Sequence, residues 1–364
     1  MKIAIISPYD ISRTGGVTNH VVNLSKELSN NGNDVTIIAP SSDLNFNIKS
    51  INIPFIGKPV NVNFGSTRAS LCLSLNSLLR IRKIFNKNDF DLIHIHEPLV
   101  PFVSIGALFF SKFPTVLTFH ASFNKGLIFK IWGFLFKDLI QKSISNIAVS
   151  EIASSSTRNY GFDINCQLIP NGVNSEIFSN NNLYSNPDIK ILFVGRNEPR
   201  KGIKILLEAF ILFNYMYKNL QLDLVGEGVS KLSKDYGHIA NCNFHEHKEG
   251  KDLAKMYKEA LIFCSPAIEN ESFGIVLLEA MASGLAVVVS DIEGYKGLVN
   301  NYENGILFKK NNYYSLENVM SELIENRELI DKLSLNGIEF SKNYSWNKVV
   351  EKIIINYKES LKIV

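Results

Sequence analysis

The chain has 364 residues, 46% hydrophobic and 20% charged, with a formal net charge of +3. This composition excludes disorder, a collagen-like repeat or a secreted disulfide scaffold, and at about 100–200 residues per domain the length points to two domains. So small a charge also lacks the basic footprint of a nucleic-acid binder, though it is unevenly divided: residues 1–180 hold 16 Lys+Arg against 11 Asp+Glu, and residues 181–364 hold 22 against 24.

The four cysteines, Cys72, Cys166, Cys242 and Cys264, show no C-x-x-C spacing, so neither a zinc site nor a disulfide framework is expected, and a reducing cytoplasm fits best. The opening run KIAIIS is too short for a signal peptide and reads as a first strand. Val17, Val21, Leu24 and Leu28 follow at helical spacing, Gly32 stops the helix, and DVTIIAP supplies a second strand. Apolar runs at DLIHIH, TVLTFH, NIAVS and CQLIP continue the series, as expected of a parallel sheet covered on both faces. The polar stretch SNNNLYSNPD reads as a linker. After it the pattern starts again: IKILFVG, a helix over about 203–213, LQLDLVG, a helix around 253–260, LIFCSPA, a helix over 275–282, and AVVVSD. The expected architecture is α/β, with two doubly wound Rossmann-like domains over 1–175 and 186–340 and a helix at 341–364 packing on them. No apolar stretch reaches the roughly 20 residues of a membrane-spanning helix.

In open α/β sheets ligands bind beyond the carboxyl ends of the strands, so the residues just after each run are the ones to read. Gly15-Gly16 precedes the first helix and lets backbone N–H groups approach an anion, although two adjacent glycines also suit a plain turn. The third glycine of a dinucleotide fingerprint is missing, which argues against NAD. His96-Glu97-Pro98 and Thr118-Phe119-His120 bring imidazole and carboxylate to one sheet edge. In FVGRNEPRKG, Arg196 and Lys201 add two cations to the positive end of a following helix, a combination suited to a diphosphate. In ENESFGIVLLEAMASG, Glu271 stands at a helix entrance and Glu279 inside the helix, and carboxylate oxygens can accept from paired sugar hydroxyls. Asp89-Phe90-Asp91 precedes a strand, at the wrong end of the sheet for a metal-binding pair, and no other cluster has metal spacing.

Taken together, GR-x-x-x-x-KG (195–202) and E-x-FG-x-x-x-x-E (271–279), with GGV, HIHEP, TFH, IPNGV and SDIEG, resemble the family 4 retaining glycosyltransferases of the GT-B fold. The resemblance covers almost the whole chain. It implies two domains facing across a cleft, no tightly bound cofactor and no metal, with a nucleotide-sugar as substrate. It assigns Arg196 and Lys201 to the donor diphosphate, Glu279 to the ribose, and Glu271 with the backbone at Phe273, Gly274 and Ile275 to the transferred sugar. Gly16 would touch the donor phosphates from the other domain, His247 would lie on the donor side, and His120 would lie near the reaction centre. With no well-placed protein nucleophile, stabilisation of the leaving group by the two cations would be a large catalytic factor.

GGV-x-x-HV, HIHEP, TFH and IAVS are most similar to phosphatidylinositol mannosyltransferases, which implies GDP-mannose as donor, a lipid acceptor and work at the inner face of the membrane. Tyr9, Thr18 and His20 fall on the acceptor side by that resemblance. The chain departs from those enzymes at Thr18, where they usually have Gln, and in the loop 59–65, which offers no basic residue beyond the adjacent Lys58. In LCLSLNSLLRIRKIFNK, Leu71, Leu75, Leu78, Ile81 and Phe85 share one helical face while Arg80, Lys83 and Lys87 lie opposite. That pattern fits an anionic membrane surface, and equally a core helix with a solvated back. A second candidate interleaves Phe129, Trp132, Phe134 and Phe136 with Lys125, Lys130 and Lys137. Transfer from a UDP-sugar, to another lipid or to a soluble acceptor, uses the same residues. So does a nucleotide-sugar epimerase, which needs no acceptor. A silent nucleotide-sugar-binding protein would not need both cations and both carboxylates.

Overall fold

A computed structural model describes residues 1–64, 67–120, 127–161, 163–179, 189–217 and 219–363. Most of the linker, 180–188, lies outside the described residues, as do Lys125 of the second membrane candidate and Gly65 of the 59–65 loop.

In chain order the elements are β1 (Lys2–Ile6), α1 (Gly16–Asn30), β2 (Asp34–Ile38), β3 (Val60–Phe64), β4 (Thr67–Leu71), α2 (Leu75–Lys87), β5 (Leu92–His96), α3 (Val103–Phe110), β6 (Thr115–Phe119), α4 (Leu127–Gln141), β7 (Ser145–Ala148), α5 (Glu151–Ser156) and β8 (Gln167–Leu168). There follow α6 (Ser175–Phe178), β9 (Ile189–Val194), α7 (Ile203–Met216), β10 (Leu220–Val225), α8 (Ser233–Tyr236), β11 (Cys242–His245), α9 (Gly250–Glu259), β12 (Ile262–Ser265) and α10 (Ile275–Ala282). The last are β13 (Ala286–Ser290), α11 (Glu293–Lys296), β14 (Ile306–Phe308), α12 (Tyr313–Glu325), α13 (Arg327–Ser341) and α14 (Trp346–Ile363). The chain forms two compact units, Met1–Asn171 together with Trp346–Val364, and Gly172–Ser345.

Each unit is built on a six-stranded sheet, ordered β2-β1-β5-β6-β7-β8 in the first and β11-β10-β9-β12-β13-β14 in the second, with every pairing parallel. Strands LIHIH and AVVVS are buried along their whole length, because helices cover both faces; this is why AVVV reads as an unbroken apolar run, whereas LIHIH buries His94 and His96. Strand order reverses direction between β1 and β5 in the first sheet and between β9 and β12 in the second. These switch points open the crevices in which α/β sheets hold ligands.

In the first unit, one sheet face (Ile3, Ile5, Val35, Ile37, Leu92, Val116) packs under Val21, Leu24 and Leu28 of α1 and Val349, Val350 and Ile353 of α14. The opposite face (Ala4, Ile6, Ile93, Ile95, Leu117) packs against Ile81 and Phe85 of α2 and Val103 and Ala107 of α3. The expected amphipathic helix is shorter than its apolar pattern. Leu71 ends strand β4, and the Ser74 side chain caps α2 by accepting from the Asn76 N–H at 3.2 Å. Leu71 therefore shares no helical face with the others, and Leu75, at the first position of α2, is 71% exposed. Asp91, from the rejected acidic triplet, accepts from the Lys2 N–H at 2.7 Å, at the amino ends of β1 and β5.

The α14 helix is fastened by polar contacts as well as apolar ones. The Tyr357 hydroxyl pairs with His94 Nδ1 at 2.6 Å, and Asn356 donates to Ser145 Oγ at 2.8 Å and Gln167 Oε1 at 2.6 Å. His94 is fully buried, so removing its partner leaves a desolvated nitrogen. Tyr357→Phe should lower unfolding free energy by about 1–3 kcal/mol in urea titration, against a smaller loss for a substitution at exposed Lys358.

Candidate active site

In the second unit the chain leaves β9 through Gly195, passes a short 3-10 turn at Pro199–Lys201 and enters α7. Gly195 N–H donates to the Val225 carbonyl at 2.9 Å and Asn197 N–H to the Glu227 carbonyl at 3.0 Å, so the loop is laced to the end of β10. The turn closes at Gly202, whose φ of +67° and distance from the Pro266 carbonyl, 2.0 Å from where a Cβ would stand, leave no room for a side chain. Lys201 thereby points to the second half of the site.

That half lies after β12. Lys201 Nζ and Arg200 Nη1 both stand 2.6 Å from Glu271 Oε1, and the other Glu271 oxygen is in neither ion pair. Burial alone would raise the Glu271 carboxyl, but Lys201 and Arg200 outweigh it and hold it below the usual carboxylate range. Arg196 pairs with Glu198 at 3.1 Å, and its side chain is the most exposed of the three cations. Phe273 is buried, and Gly274, at φ +82°, turns the chain into α10, whose first residue is Ile275. Glu279 is one turn further in. Its Oε2 accepts from the Tyr257 hydroxyl at 3.0 Å, and burial pushes its carboxyl up to about 7. The expected residues Arg196, Lys201, Glu271, Phe273, Gly274, Ile275 and Glu279 thus gather at the switch point of one sheet. His247 is exposed beyond the edge strand β11 and pairs with Glu249 at 2.9 Å.

Two residues here carried no sequence signal of their own. Arg200, 8% exposed, bridges Glu198 and Glu271. Gly294, inside the SDIEG segment, sits so close that an added Cβ would be 2.0 Å from the Glu271 carbonyl.

In the first unit Gly16 opens α1 with no atom within 4 Å of an added Cβ, so its surroundings are open. Tyr9 lies on the loop after β1 and is half-buried. Thr18 and His20 face the interior: the Thr18 hydroxyl donates to the Asp10 carbonyl at 3.4 Å, and His20 meets the Trp346 ring edge-on at 5.2 Å. The β5–β6 register pairs His96 with Thr118, so the alternate residues His94, His96, Thr118 and His120 fall on one face, under α1 and α14. There His94 Nε2 bonds Thr118 Oγ1 at 2.6 Å, and His96 Nδ1 bonds His120 Nε2 at 2.8 Å. The His120 N–H donates to Glu97 Oε1 at 2.7 Å, and Glu97 adopts a φ of +49°.

Ring nitrogens of His20, His96 and His120 lie within 4.8 Å of one another, a gathering that no sequence spacing announces. Burial, reinforced by the neighbouring rings, holds His96 and His120 well below the ordinary histidine range and His94 at about 3; burial likewise brings His20 to about 4. All four are therefore neutral at pH 7; His94, His96 and His120 act as hydrogen-bonding groups rather than cations, and the ring nitrogens of His20 are buried without a hydrogen-bond partner among the described residues.

The family described as glycosyl transferases group 1 matches residues 174–340, and glycosyltransferase family 4 matches residues 14–177. The phosphatidyl-myo-inositol mannosyltransferase of Mycobacterium leprae is 31% identical across 98% of this chain and 96% of its own. The enzyme of the same name from Mycolicibacterium smegmatis is 30% identical across 98% and 94%. Among solved structures, a Rickettsia africae glycosyltransferase superposes with a TM-score of 0.81 at 22% identity, covering 99% of this chain and 98% of that one. Anabaena HepE in complex with UDP-glucose superposes with a TM-score of 0.77 at 17% identity, covering both chains fully.

Gly294→Ala should displace the backbone that carries Glu271. Donor turnover is expected to fall by about 100-fold, the scale of a 1 Å misplacement, with α/β circular dichroism retained; unchanged turnover would show that this close approach does not set the site.

Proposed function

The chain belongs to the family 4 glycosyltransferases, and from that premise we propose that it moves a hexose, mannose from GDP-mannose in the first instance, to a phosphatidylinositol-type lipid with retention of configuration. The observation that carries this reading is the Lys201–Glu271 contact at the switch point of the second sheet: it puts a cation for a diphosphate and an acceptor for sugar hydroxyls side by side. Arg196 and Lys201 take the diphosphate and stabilise it as it leaves, which is where negative charge grows in the transition state. Glu271 and the backbone at Phe273, Gly274 and Ile275 hold the sugar. Glu279 holds the ribose; a carboxyl titrating near neutrality can both donate to and accept from a hydroxyl pair. His247 is assigned to the donor side of the second unit. In the first unit the backbone at Gly16 is assigned to phosphate, His120, kept neutral, to hydrogen bonding with substrate, and Tyr9, Thr18 and His20 to the acceptor side.

The lipid acceptor calls for a route to the bilayer. No described helix is long and apolar enough to cross a membrane. The first unit instead exposes Leu79 on α2, Phe109 on α3 and Phe134 on α4, three helices packed in that order. Exposed Arg80, Arg82, Lys83 and Lys130 stand on two of the same helices, with Arg82 over the Phe110 ring at 5.8 Å. Apolar side chains beside cations suit an anionic headgroup layer, and peripheral attachment to the inner membrane face follows.

Lys201→Ala and Glu271→Ala should each abolish mannosyl transfer from GDP-mannose to phosphatidylinositol while leaving the fold intact. A parallel assay with UDP-sugars, and with donor alone to detect epimerisation, separates the other readings; wild-type turnover in both variants removes the site assignment. The chain should co-sediment with vesicles containing phosphatidylglycerol and much less with neutral phosphatidylcholine. The double variant Leu79→Glu, Phe134→Glu should lose that binding, and equal recovery on both lipids would contradict the membrane reading.

A further inference from the structure

The donor assignment leaves one cation of the 195–202 loop without a task. Arg200 lies between the two cations already assigned, yet its side chain is only 9% exposed and its donors are spent on the protein. Nε and Nη2 each reach Glu198 Oε2 at 2.8 Å, while Nη1 reaches Glu271 Oε1 at 2.6 Å and the Asn270 carbonyl at 3.3 Å. Its own carbonyl accepts from the Ile268 N–H at 2.8 Å, which fastens the turn to the chain leaving β12. Glu198 in turn holds Arg196 through its other oxygen. The result is one line of alternating charge, Arg196–Glu198–Arg200–Glu271–Lys201, running from one diphosphate cation to the other.

We propose that Arg200 is a positioning residue that keeps the diphosphate cations and the sugar carboxylate in register without touching the donor itself. The proposal rests on the donor reading given above. Its physical basis is a competition for Glu271. When a diphosphate arrives, Lys201 must turn from Glu271 toward the phosphates, and a buried carboxylate stripped of its only counter-charge would resist that movement. Arg200 remains on the same oxygen, so Lys201 is released at small cost. Through Glu198 the same guanidinium fixes the base of Arg196, the more exposed cation. A lysine at position 200 has one ammonium and cannot span two carboxylates on different segments with the fixed fork that arginine provides.

The test is steady-state transfer by the full chain, using GDP-mannose and phosphatidylinositol or whichever donor and acceptor prove active. Arg200→Met and Arg200→Lys should each lower kcat by about 100-fold while donor KM stays near the wild-type value, the pattern of an arrangement lost in the transition state rather than a lost ground-state contact. Glu198→Gln should cost a similar factor alone and little more when added to Arg200→Met, because the line is already broken. Circular dichroism and thermal unfolding check that each variant folds; if Arg200→Met does not, Arg200→Lys decides on the same criteria. Wild-type kcat in a folded Arg200 variant, or costs at 198 and 200 that simply multiply, overturns the proposal. Arg196→Ala and Lys201→Ala are measured alongside: if they too are fully active the donor assignment itself has failed, whereas their loss beside active Arg200 variants sinks only the positioning role.

Discussion

A carboxylate removed from water stays ionised only where charge or hydrogen bonds answer it, and Glu271 is answered by two cations, both at 2.6 Å on one oxygen. Removing one partner of such a buried pair costs about 3–5 kcal/mol, so the arrangement constrains everything that supports it. The loop after β9 must bring Arg200 and Lys201 to the end of β12, which it does by closing a turn at Gly202 against the Pro266 carbonyl. The chain after β12 must present Glu271 to them, with Gly294 packed against its carbonyl and Gly274 turning into α10. The parallel β9–β12 pairing sets the two loops side by side in the first place. Charge pairing, glycine placement and strand order therefore serve one contact.

The first unit solves a different problem with neutral groups. Its sheet face beneath α1 and α14 carries imidazoles where most such faces carry aliphatic side chains; hydrogen bonds run from Tyr357 through His94 to Thr118 and from His96 to His120, while both ring nitrogens of His20 and Nε2 of His96 are buried without a hydrogen-bond partner among the described residues. His120 is held at both its ring and its backbone, the latter by Glu97. Two units of the same architecture thus offer contrasting environments: one ionic, suited to a polyanionic nucleotide-sugar, and one neutral and hydrogen-bonding.

Much of the fold was legible because parallel strands buried on both faces announce themselves as short apolar runs, and KIAIIS, TVLTFH, IKILFVG and AVVVSD all became strands. The helix expected at 275–282 has the observed ends, set by Gly274 on one side and by Ser283-Gly284 on the other. The β3–β4 hairpin was missed, since VNVNF and TRASL are short, half polar and outside both main sheets. Leu71 was misread for the same reason: its spacing from Leu75 and Leu78 is helical, and only the hairpin pairing takes it away. Arg200 could not be told from any loop cation, because its importance lies in Glu198 and Glu271 meeting it from two segments, the farther 71 residues away. The histidine cluster needed strand register and two helices distant in sequence. Motif spacing singled out Lys201 and Glu271, but not Arg200, which joins the same carboxylate.

The most direct measurement is a crystal structure of the full chain with an intact or non-hydrolysable nucleotide-sugar. The account predicts the diphosphate against Arg196 and Lys201, with Lys201 turned from Glu271, sugar hydroxyls on Glu271, the ribose on Glu279 and Arg200 unmoved between Glu198 and Glu271. A donor bound elsewhere, or one that leaves the Lys201–Glu271 pair closed while its phosphates sit on other residues, would contradict it.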